Sequence, residues 1–276
     1  MELPPIYFEG VYFIGGIICV IIGIIYGIFI WKDFKTLTPK LPCYKSSQIL
    51  FVVSVLMRGL GYIAQAIITM QFPDKYKTLY MCDPITIGLP SYLLTISYLF
   101  LFYLWISICV NLISNDSTSG LRERTKIVFN CLLIFTLTLG FVLIAVLTLS
   151  FIQNYDFTDI IHEIEVLLAI IRDFFTATII LIYSIIIIRM SNQPLCSNYK
   201  ESAYFWMLLC LVIPLYIRSG SLIFFLYVLM NKIGGRRLEN FINTSISAFL
   251  SEVFPCLMIL ITRKRSGLLS IYDSIN

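Results

Sequence analysis

Seven stretches of this chain, approximately residues 11–31, 47–72, 87–113, 127–152, 164–189, 204–230 and 241–262, are apolar over lengths that soluble proteins rarely sustain. About 20 such residues in a helix cross a hydrocarbon core of about 30 Å. Inside that core each backbone N–H and C=O must find its partner within a helix or a closed barrel. A barrel would show alternating segments of about ten residues, which these runs lack. Their Ile and Val would suggest strands in a soluble protein, but run length decides for helices. The composition agrees: 59% of residues are hydrophobic and 13% charged, more apolar surface than one soluble core can bury. The expectation is an all-α polytopic membrane protein, a seven-transmembrane-helix bundle forming a single domain over residues 1–276.

Charge in the connections sets the expected orientation, because cytosolic segments retain Lys and Arg during insertion. One side collects twelve: Lys32, Lys35, Lys40, Lys45, Arg122, Arg124, Lys126, Arg189, Lys200, Arg263, Lys264 and Arg265. The other has five, Lys75, Lys77, Lys232, Arg236 and Arg237, and an acidic connection with Asp156, Asp159, Glu163 and Glu165. The N-terminus is therefore expected outside and the C-terminus in the cytosol. The first apolar run is too long for a signal-peptide core and has reversed charge flanks, so it is expected to be retained. The net charge of +4 follows from this asymmetry and from contact with anionic lipid, which makes nucleic acid an unexpected partner.

Eight cysteines, most of them inside apolar runs and none at metal-ligand spacing, read as small core residues. The single histidine, His162, stands at a helix edge without a metal-ligand or nucleophile pattern around it. No metalloprotease helix, phosphate-binding glycine loop or sensible nucleophile–histidine pair occurs, so no catalytic residue, metal or cofactor is expected.

The informative residues are those that a membrane makes costly. Arg58 lies in the second run, Arg172 and Asp173 in the fifth, Arg218 in the sixth and Glu252 in the seventh. Ionisable groups at membrane depth cost at least about 2.5–3.5 kcal/mol on insertion scales and so face the interior, pair, or line a wet cavity. Arg58 and Glu252 each sit about 16 Å from the cytosolic end of their helices at about 1.5 Å per residue, and Arg218 slightly further out. A buried cluster is expected, with Glu252 between Arg58 and Arg218 and Asp173 as a second acceptor for Arg218. Arg172 is expected to reach outward to water. Such a cluster either ties helices together or holds an anionic lipid or ligand; three arginines against two acids leave one positive charge, or none where Arg172 reaches the surface.

Pro214 precedes Arg218 by four residues and Pro255 follows Glu252 by three, so helix kinks are expected beside both charges. Pro90 stands near the start of the third run, and Gly23 with Gly27 gives the first a small-residue face for close helix approach.

Three passages carry a family resemblance. LPSYLLTISYLFLFYLW at 89–105, the arginines of FVVSVLMRGL and LVIPLYIRSG, and the Glu-x-x-Pro step and basic exit of SEVFPCLMILITRKR at 251–265 are similar to the plant tobamovirus-multiplication family and its animal lysosomal orphan-receptor-like relatives. The rhodopsin-like pattern is absent: the third run lacks Asp-Arg-Tyr and the seventh lacks Asn-Pro-x-x-Tyr. The resemblance implies a non-enzymatic multipass protein of vacuolar, lysosomal or other endomembranes that recruits cytosolic or membrane partners. The short tail and runs one, four and five show no such likeness. The function expected is thus receptor-like or scaffolding. A structural subunit of a larger membrane complex is the alternative, and a transporter a third, for which no internal repeat is seen.

Overall fold

The computed structural model describes residues 5–36, 42–71, 88–112, 118–152, 158–190 and 199–230. Within them lie six helices: α1 (Pro5–Thr36), α2 (Pro42–Gln71), α3 (Leu89–Leu112), α4 (Thr118–Ile152), α5 (Thr158–Met190) and α6 (Tyr199–Met230). Five are long and apolar enough to cross a membrane, and α6 has a shorter described apolar stretch, Leu211–Phe224. The chain is an all-α membrane protein. The expected seventh helix, 241–262, with Glu252 and Pro255, lies outside the described residues.

The helices outrun the apolar stretches that betray them. α4 begins at Thr118 rather than near 127, because Leu121, Arg122, Glu123, Arg124 and Lys126 are good helix formers with exposed charges. Hydropathy marks where the oily segment ends; the backbone continues while the side chains permit. Prolines open α1 and α2, and Pro90 occupies the first turn of α3, where a missing N–H costs little.

Neighbouring helices run antiparallel. Between α2 and α3, Ser47 meets Ser97 while Ser54 meets the Pro90 carbonyl; between α4 and α5, Thr125 meets Tyr183 while Phe135 meets Phe175. As one number rises its partner falls, which defines opposed directions. α3 and α5, by contrast, run parallel, with Thr95 against Asp173 and Phe102 against Tyr183.

α3 is the hub, packed on α2, α4, α5 and α6. Its Leu94, Tyr98, Leu99, Phe102, Trp105 and Ile106 are fully buried, as are Ala177 and Ile180 of α5. α1 packs chiefly on α2. Ile14, Ile18, Ile21, Ile25 and Ile28 are exposed along the rest of its surface, as Ile134 and Phe141 are on α4. In a bilayer these side chains meet lipid tails, so their exposure is no liability. Cys19 is buried as expected, but Cys131 is exposed on α4: the expectation of a core position fails there because apolar residues point outward in a membrane protein too.

At the α1–α2 crossing glycine has a steric role. A Cβ at Gly16 would lie 2.7 Å from the Gly59 carbonyl oxygen, and one at Gly59 would lie 2.9 Å from that of Gly16. The small-residue face of α1 serves this internal contact: Gly23 abuts Leu56, and Gly27 faces Val52.

Candidate functional site

Four helices meet through polar side chains near the N-terminal end of α3. Ser91 and Thr95 are one turn apart, so they share a face of this apolar helix. Arg58 of α2 donates from Nη2 to Ser91 Oγ at 2.7 Å, and Arg218 of α6 donates from its own Nη2 to the same oxygen. A hydroxyl oxygen has two acceptor lone pairs, so one serine can accept both. The two like charges are thereby held beside one another, and a counter-charge must lie close. Asp173 of α5 supplies one: its Oδ2 is 3.4 Å from Arg218 Nε. Its Oδ1 accepts from Arg172 Nε at 2.8 Å and from Thr95 Oγ1 at 3.3 Å.

The depth argument thus named three residues, Arg58, Asp173 and Arg218, that the helices bring around Ser91. Glu252 lies outside the described residues. Pro214 is buried inside α6 one turn before Arg218, and the helix continues through it.

Arg172 corrects an expectation. It does not reach for water but is fully buried. Adjacent helix residues point about 100° apart, given 3.6 residues per turn, yet the long side chain folds back so that Nε meets Asp173. Its guanidinium carbon stands 4.2 Å from the centroid of the Tyr92 ring, a cation–π arrangement that is strengthened away from water. Two partners inside the bundle thus outcompete snorkelling. The terminal nitrogens Nη1 and Nη2 remain buried and have no hydrogen-bond partner among the described residues.

Sequence reasoning missed two groups. Ser91, Tyr92 and Thr95 were passed over as ordinary members of an apolar run; the signal was the pair of small hydroxyls one turn apart, on the same helix as a tyrosine. Glu165 was counted in an outer acidic connection but belongs to α5, where it is 9% exposed. It precedes Arg172 by seven residues, two turns along the same face. A Cβ at Gly88 would lie 2.6 Å from Glu165 Oε1 and 3.5 Å from Leu143 Cδ2. Tyr92 lies within electrostatic reach of Arg172, Asp173 and Glu165.

The polar zone reaches α4. Thr136 and Thr176 are fully buried, and their hydroxyls lack hydrogen-bond partners among the described residues. The Phe135–Phe175 contact sets Thr136 at about the level of Thr176. The described charges of the centre are three arginines and two carboxylates, all well buried. Such an arrangement resists helix rotation, because each partner lost would leave an uncompensated ion away from water. Comparisons of the chain with protein-family models, with curated proteins and with solved structures give no match.

Proposed function

We propose that the chain is a non-enzymatic, receptor-like or scaffolding membrane protein with seven spans, N-terminus outside, in which the arginine centre governs how the helices sit and the cytosolic face recruits partner proteins. The observation that carries this reading is the convergence of Arg58 and Arg218 on Ser91, with Asp173 behind them. α2 and α6 are distant in sequence, and their arginines join at one oxygen of α3. A change in one pairing therefore tilts two helices relative to a third, and helix shifts of that kind carry signals across a bilayer. Pro214 beside Arg218 leaves a helix carbonyl without its usual donor, which eases bending at the charged level.

Finer parts of the reading rest on the sequence. The segment 241–262 is a seventh span that brings Glu252 between Arg58 and Arg218, with Pro255 bending it. Twelve Lys and Arg against five support the orientation. The likeness to the tobamovirus-multiplication family supports a vacuolar, lysosomal or other endomembrane site, with anionic lipids and cytosolic proteins as partners.

The test is proximity labelling from the C-terminus of the full chain, comparing wild type with Ser91→Ala and Arg218→Gln at matched expression. The expected result is a set of cytosolic neighbours in wild type that falls when the centre is altered. A fixed complement of membrane subunits, retained in stoichiometric amounts after solubilisation and unchanged in both variants, would instead make the chain a structural subunit of a larger complex.

A further inference from the structure

α4 carries an exposed stripe that changes character with depth. Arg122, Lys126, Asn130 and Ile134 are all exposed and stand four residues apart, so each is turned about 40° past the last and set about 6 Å further along the axis. Leu137 and Phe141 continue the stripe, 43% and 70% exposed. The order down the helix is cation, cation, amide, then apolar side chains. The opposite side of α4 is fixed to the bundle: Thr125 Oγ1 lies 2.9 Å from the Tyr183 hydroxyl of α5, and Phe129 packs on the rings of Phe100 and Tyr103 of α3. The stripe is therefore held facing outward. Asn130 makes no hydrogen bond to another side chain or backbone group among the described residues, although it lies inside the apolar run that begins near 127. An amide turned toward lipid without a partner is costly.

An anionic phospholipid has the same order: a charged headgroup, ester carbonyls that accept hydrogen bonds, then acyl chains. With about 30 Å of hydrocarbon in a total of about 40–45 Å, the headgroup layer on each side of a bilayer is about 5–8 Å deep. One step of the stripe spans it. We propose that one anionic phospholipid lies along α4, with its headgroup on Arg122 and Lys126, an ester carbonyl accepting from the Asn130 amide, and a chain against Ile134, Leu137 and Phe141. Helix side chains lean toward the N-terminus, which here is away from the hydrocarbon, so both cations reach the headgroup. Glu123 is exposed in the same turn, and against Arg122, Arg124 and Lys126 it leaves a surplus of two positive charges. That surplus favours an anionic over a zwitterionic lipid. Arg122 also interacts within the protein, and its five N–H donors leave capacity for a phosphate oxygen. The leaflet rests on the orientation proposed above, which makes it the cytosolic one; the stripe itself depends neither on that orientation nor on the arginine centre.

The experiment is native mass spectrometry of the full chain released from nanodiscs that hold phosphatidylglycerol and phosphatidylcholine in equal amounts, with the retained lipids counted. Wild type is expected to retain phosphatidylglycerol at least about tenfold over phosphatidylcholine. Arg122→Gln and Lys126→Gln are each expected to lower that preference about fivefold. Asn130→Leu is expected to lower retention of both lipids about threefold and to leave the preference unchanged, because the ester carbonyls are common to both. Arg124→Gln is the control: Arg124 is also exposed but stands about 160° around the helix from Lys126, so the same charge is removed away from the stripe and the preference stays within about twofold of wild type. All four side chains are exposed, and thermal unfolding in detergent checks that each variant keeps its fold.

Equal retention of the two lipids by wild type overturns the site. So does a preference that falls as far in Arg124→Gln as in Lys126→Gln, because the attraction is then a diffuse surface charge. Asn130→Leu without effect on either lipid overturns the placement along the stripe. None of these results bears on the recruitment of cytosolic partners, which is decided by proximity labelling.

Discussion

The α1–α2 crossing and the arginine centre hold helices together in the same membrane by opposite means. At the crossing, Gly16 and Gly59 bring two backbones together so closely that neither position has room for a Cβ. Among the described residues the close contacts there are backbone and apolar side chains, and the attraction is van der Waals contact between consecutive helices. At the centre, α2, α3, α5 and α6 are linked by ion pairs and hydrogen bonds between groups that would be intolerable alone. The first contact fails gradually, by displacement of one helix. The second fails as a unit, because removing any member strands the others.

That difference can be broken on purpose. The largest effect is expected from Asp173→Asn, which leaves Arg172 and Arg218 without their described counter-charge; the loss is about 3–5 kcal/mol, read as a fall in unfolding free energy in mixed micelles. Next is Gly16→Val, whose side chain meets the Gly59 carbonyl and should cost about 1–3 kcal/mol, with a disulfide probe reporting movement confined to α1. Ser47→Ala removes one of two reciprocal bonds, that from Ser47 Oγ to the Ser97 carbonyl at 3.0 Å, and keeps the other, from Ser97 Oγ to the backbone carbonyl of residue 47 at 2.9 Å. Interhelical hydrogen bonds in membranes average about 0.6 kcal/mol, so its effect on the same unfolding curve is small. Smallest is the interaction between the two regions: Gly16→Val and Asp173→Asn combined should be additive within about 0.5 kcal/mol, as distant sites are.

The same contrast explains what could be read from the sequence. Apolar run length located the described helices because the bilayer enforces it, but their ends were missed where exposed charged residues carry α4 on past the hydrophobic run. Counting residues from the membrane surface brought Arg58 and Arg218 to nearly the same depth and set Asp173 close enough to serve as an acceptor for Arg218, since depth is nearly linear along a helix. Counting cannot show which way a side chain turns. It therefore sent Arg172 to water, although Tyr92 and Asp173 hold it inside, and it left Glu165 in a connection when α5 begins seven residues before it, at Thr158. Ser91 was invisible for another reason: a single hydroxyl in an apolar helix carries no pattern, and its place between two arginines exists only once α2 and α6 have packed around α3.

The central claim is that the charged groups act as one unit, and a double-mutant cycle on Asp173→Asn and Arg218→Gln tests it most directly, with reversible unfolding in mixed micelles as the readout. Each single change is expected to destabilise strongly, and the pair together less than their sum, with a coupling of about 1–3 kcal/mol. Strict additivity, or single variants as stable as wild type, would contradict it and reduce the centre to polar residues that happen to lie near one another.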